Sequence, residues 1–165
     1  MAQDETSTQA ADNVPLPVPI EDGPRVSGHD RLRTAMQRLD DALIAPVGAN
    51  GQWTRAVLRA VRELESAFQR HREVSEAPGG TLERVIAARP SLVAAARRSR
   101  SEHPLLLDRM AVARERISAG IDFGQPDPEA VRSELGRLQD EVRRHVGRGS
   151  DLLFEAFFRD DGGEG

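Results

Sequence analysis

Val57, Val61, Leu64 and Phe68 advance along the chain by four, three and four residues, and the next step of three lands on His71. The same series returns 74 residues later as Val131, Leu135, Leu138, Val142 and His145. Steps of three and four keep side chains on one stripe of an α-helix, and no alternating strand pattern competes. The offset also carries His29, Leu32, Met36, Leu39 and Leu43 onto His103, Leu106, Met110, Ala113 and Ile117. A repeat of this kind predicts a duplicated helical hairpin. Two hairpins with short connections predict an all-α chain, an up-down-up-down four-helix bundle.

Local signals set the expected boundaries. A first helix runs over about 29–45 and stops before Pro46. A second runs over about 53–76 and ends at "APGG". A short helix follows, with Thr81 as its N-cap, and stops before Pro90. Ser91 caps the next helix, which continues towards Ser118 with a kink or restart near Ser101, because Pro104 removes a backbone donor. "GIDFGQP" reads as a loop. Asp127-Pro128-Glu129 is a helix start, with an N-capping acid and proline at the first position. Gly147 and Gly149 weaken this last helix after His145, and "SDLLFEAFF" resumes it. Gly136 in its middle reads as a point of close helix approach, and Trp53 as packing at a helix start. The bundle is expected over 28–158. Residues 1–27, acidic and carrying "VPLPVPI", are expected to be a disordered tail with a polyproline-like stretch at 15–19, and 159–165 a flexible end.

Composition narrows the function. The 165 residues include no cysteine, so thiolate metal sites and cysteine nucleophiles are excluded. The net charge of −4, and a basic run "RRSRS" without interleaved aromatics, argue against nucleic acid. No secretory leader and no apolar run of membrane-spanning length is visible, so a cytoplasmic protein is expected. Every basic residue is arginine, a bias that suggests a GC-rich, bacterial coding sequence. No Ser/His/Asp ordering, Glu-x-x-His pair or phosphate-binding loop stands out, and nothing in the residues argues for an enzyme.

The four histidines carry the chemistry. His29 and His71 each lie about 25 Å along their helices from the turn that joins those helices, at 1.5 Å per residue. The same holds for His103 and His145. All four rings are therefore expected in one layer at one end of the bundle. Each neutral imidazole brings a donor and an acceptor into a dry core, and a metal ion answers several acceptors at once. Iron, zinc and copper all suit imidazole.

The layer, with "FQRHREVSE", "EHPLL" and "VRRHVGRGSDLLFEAFF", resembles the hemerythrin-like (HHE cation-binding) family over about 28–158. The resemblance implies non-haem iron held by His29, His71, His103 and His145. It implies a role in binding or sensing oxygen, nitric oxide, peroxide or iron, with a small diatomic or peroxide ligand as partner. Family members place a glutamate four residues after the second-helix histidine and an acid four or five after the fourth-helix one. Ser75, Gly149 and Ser150 stand there instead, and the nearest acids are Glu76 and Asp151. Family members also carry a second histidine one turn on in the third helix, where this chain has Leu107. A metal set of the four histidines with Glu76 and Asp151 is therefore expected to hold one tight iron, or one with a weak second ion, in place of a stable iron pair, with zinc as the other candidate. The alternative reading is a metal-free helical interaction module, with the histidines as a polar layer and the tail as its binding segment.

Overall fold

A computed structural model describes residues 24–48, 50–123 and 126–159, with side chains from Asp30 onward except those of Asp122 and Phe123. The elements are α1 (Pro24–Ile44), α2 (Gln52–Glu76), α3 (Thr81–Ala88), a 3-10 turn (Pro90–Leu92), α4 (Val93–Phe123) and α5 (Pro128–Phe157). The expected all-α class is borne out, with four long helices and no strand among the described residues. The expectation for residues 1–23 lies outside the described residues.

The predicted stripes are the core. Val57, Val61, Leu64 and Phe68 of α2 are fully buried, and their repeat equivalents Val131, Leu135, Leu138 and Val142 of α5 join them. Leu32, Leu39 and Leu43 of α1 and Leu106, Met110, Ala113 and Ile117 of α4 complete it. Burial of such stripes supplies most of the stability of a helical bundle.

Polar contacts fix how the helices lie against one another. Arg114 forms an ion pair with Glu65 at one level of α2 and α4, and His103 bonds Glu76 at another, so these helices run antiparallel. Arg116–Glu134, Arg109–Glu141 and Arg148–Glu102 step in opposite senses along α4 and α5. Between α1 and α5, Arg132 donates to the Leu43 carbonyl at 2.8 Å and Gln139 to the Met36 carbonyl at 3.0 Å. That ladder is antiparallel as well.

Several boundaries differ from expectation. Helix α1 begins at Pro24, within the segment assigned to the tail. Gly80, rather than Thr81, caps α3, and a Cβ there would meet three backbone carbonyls at 2.7–2.9 Å. Ser91 caps nothing: Pro90 opens a 3-10 turn that leads directly into α4. α4 passes through Pro104 unbroken, because this residue and Arg100, whose carbonyl loses its partner, both face water. It also absorbs "GIDF", which was read as loop. Gly120 in that stretch lets Pro126 approach, since a Cβ would lie 2.8 Å from the proline ring. The glycines of α5 do not break it, and a Cβ at Gly136 would touch nothing within 4 Å, so no close helix approach depends on it. Asp127 caps α5 as predicted, accepting the Glu129 N–H at 3.1 Å.

Candidate metal centre

His71 closes the buried stripe of α2, His145 closes that of α5, and His103 lies on the inner face of α4. Their ligand nitrogens all lie within 4.8 Å of one another. His103 and His145 are completely buried, and His71 stands at the edge of the layer, half-buried. The ring of Phe68 forms the floor, with its centroid 5.4–5.8 Å from each of the three imidazoles.

Two carboxylates orient the rings. The Nδ1 of His103 lies 2.6 Å from Glu76, and the Nδ1 of His145 lies 2.8 Å from Glu102. A carboxylate only accepts, so each Nδ1 carries the proton and donates it, which leaves the Nε2 lone pair pointing inward. A carboxylate behind an imidazole in this way fixes the tautomer and raises the ring's basicity as a metal ligand. Arg72 flanks Glu76 at 3.5 Å and Arg148 donates to Glu102 at 2.7 Å, which steadies each acid behind its ring. Burial lowers the His103 imidazole below its ordinary range against the pull of Glu76, and the Arg72 charge adds to the lowering. It is therefore neutral near pH 7. Burial alone would raise Glu102, but the bonds from His145 and Arg148 outweigh it and hold the carboxyl low.

The inner nitrogens are arranged for a shared ligand. The Nε2 atoms of His71 and His145 are 3.4 Å apart. Two nitrogens on one tetrahedral ion, each about 2.05 Å from it, stand about 3.3 Å apart. The Nε2 of His103 is fully buried and has no hydrogen-bond partner among the described residues. A buried acceptor left unmet costs about 1–3 kcal/mol, and a cation at the centre of the three rings would answer it.

The structure thus brings together three of the six expected ligands. His29 lies on α1, and the α1–α5 ladder sets it level with about residue 146; its side chain lies outside the described residues. Glu76 reaches the layer, but on the outer nitrogen of His103 rather than inside the group of three. Asp151 is exposed in a separate groove between α4 and α5, beside Arg98, Glu102 and Arg148, and does not join the histidines. Sequence reasoning missed Glu102. Its signal was an acid adjacent to a layer histidine, but its partner proves to be His145 of the neighbouring helix, a pairing that needs the packing of α4 on α5. No family model, no curated protein and no solved structure matches the chain.

Proposed function

We propose that the chain is a hemerythrin-like metal-binding protein, with the up-down-up-down bundle of that family, that holds a single divalent ion on His71, His103 and His145. The observation that carries this reading is the pair of buried imidazoles whose outer nitrogens are locked by Glu76 and Glu102, leaving inner lone pairs that converge with His71. Charge supports one ion rather than two. Three neutral rings offset none of a cation's charge, and burying uncompensated charge is very costly. Glu76 and Glu102 bring two negative charges one ring away, partly offset by Arg72 and Arg148, so their support extends to one divalent ion at most. A second ion would bring two more positive charges, with no acid among the described residues placed inside the group of three.

Non-haem iron is the metal proposed, with zinc the other ion suited to this donor set. Three protein ligands leave coordination positions open, and a small diatomic or peroxide ligand is the proposed partner there, reached from the side of His71, the least buried of the three rings. The role is binding or sensing in the cytoplasm of a bacterium. Metal analysis and anaerobic iron titration of protein made without a histidine tag test it. One equivalent of tightly held metal per chain is expected. Protein that takes up no iron or zinc, and whose stability neither metal changes, would establish the metal-free interaction module instead.

A further inference from the structure

The last two turns of α5 carry an uncovered aromatic strip. Phe154 is 62% exposed, Phe157 41% and Phe158 67%, and Phe154 stacks on Phe158 with centroids 6.1 Å apart. Rings this open in water are unfavourable unless something covers them. Their position along the helix says what does. Arg132, Gln139 and Arg143 are the α5 residues that bond α1, through Leu43, Met36 and Asp40. Continued by helical steps of seven and four, that flank of α5 passes through Ser150 to Phe154 and Phe157. The strip is the part of the α1-facing flank that α1 is too short to cover. The ladder sets Pro24, where α1 begins, level with about Asp151, and Phe158 lies about 10 Å further along the axis at 1.5 Å per residue.

The chain that enters α1 at this point is "VPLPVPIEDG", residues 14–23. It supplies alternating prolines and aliphatic side chains, the composition that seats on aromatic grooves with little entropy left to lose. Ten extended residues span about 30 Å, three times the length of the strip. Charge matches too. Residues 1–23 carry Asp4, Glu5, Asp12, Glu21 and Asp22 and no basic residue. The strip is bordered by Arg84, whose guanidinium lies 5.6 Å over the Phe157 ring, and by Arg89, which donates to the Arg159 carbonyl.

We propose that residues 14–20 of this chain dock on the Phe154–Phe157–Phe158 strip, with the acids of the tail set against the arginines beside it. Tethering makes the encounter intramolecular, at an effective concentration in the millimolar range for a short connection.

The absence of cysteine makes the test direct. A nitroxide on Asn13→Cys in isotope-labelled full-length protein should broaden the amides of residues 152–158 and leave residues 44–48, at the opposite end, sharp. Phe154→Ser with Phe158→Ser should abolish that broadening at unchanged helical circular dichroism, since both rings are largely exposed. The same double variant should speed proteolysis after Glu21 about tenfold, equivalent to 1.4 kcal/mol of lost docking. Broadening confined to the first turn of α1, or broadening that survives the double serine variant, overturns the proposal. A mixture of spin-labelled and isotope-labelled chains separates the other occupant: broadening of 152–158 in the mixture would mean that a second copy covers the strip, and would also overturn it.

Discussion

His103→Leu separates a metal ligand from a structural imidazole. Leucine fills a similar volume on the buried face of α4 and removes two polar atoms. Removing Nε2 relieves an unmet buried acceptor, a gain of about 1–3 kcal/mol. Removing Nδ1 breaks the 2.6 Å bond to Glu76, and hydrogen bonds to charged groups contribute about 1.5–3 kcal/mol. The Glu76 side chain is 22% exposed and has Arg72 beside it, so the released carboxylate finds water and a cation. The two changes nearly cancel, and the metal-free variant should lie within about 1 kcal/mol of the parent. The metal-bound forms should differ sharply. An ion at one hundred times its Kd stabilises the parent by about 2.7 kcal/mol. At about 4 °C per kcal/mol for a chain of this size, that is a rise in Tm of about 10 °C, which the variant should lack. Thermal unfolding followed by circular dichroism, with a chelator and with excess zinc or anaerobic ferrous iron, measures both. A metal-free variant that loses 3 kcal/mol or more, as cavity-forming core substitutions do, would show that the imidazole is structural. A variant that still gains 10 °C with metal would remove His103 from the site.

Glu102→Gln and Glu76→Gln should each weaken metal binding about 10–100-fold in a chelator competition, since each removes the acid that orients one ring, while Asp151→Ala should leave metal content unchanged. Metal-free stability should fall on acidification: His103 is held below its ordinary value of 6.5, so the unfolded chain binds the extra proton and stability is lost as pH drops from about 6.5 towards the lowered native value. Glu102, held below its ordinary 4.5, adds a second loss below that pH; urea midpoints flat from about pH 7 to 5 would refute the first, and midpoints flat from about pH 4.5 to 3 the second. Gly136→Ala should stabilise by about 0.5–1 kcal/mol, read from the thermal midpoint, because helical glycine is costly and a Cβ there meets nothing within 4 Å.

The helical stripes were legible because three-and-four spacing maps directly onto burial, and the repeat added a check that one stripe alone lacks. Phe68 and Val142, matched by the offset, are both fully buried. Local breakers were the least legible features. Pro104 and Gly147 read as interruptions, yet both lie on the solvent side of long helices, where water satisfies a missing bond and the tertiary packing of the other face carries the helix through. The meeting of His71, His103 and His145 followed from spacing. The acids did not, because a carboxylate that supports a ring comes from whichever helix packs beside it. Glu102 serves His145 from α4 and Glu76 serves His103 from α2, and neither pairing leaves a fixed interval in the sequence.

The 74-residue offset relates the two halves of the site. His71 and His145, one offset apart, face each other at 3.4 Å, as equivalent residues do across a twofold axis. The buried seams of α2 and α5 obey the same offset. The acids do not: one offset away from Glu76 and Glu102 stand Ser150 and Gly28. Both orienting carboxylates serve rings of the second hairpin, so this support belongs to one half of the repeat. A single chain permits such a difference, because in a symmetric dimer of identical chains every substitution appears twice at the axis, whereas one chain with two halves can specialise one and leave the other alone.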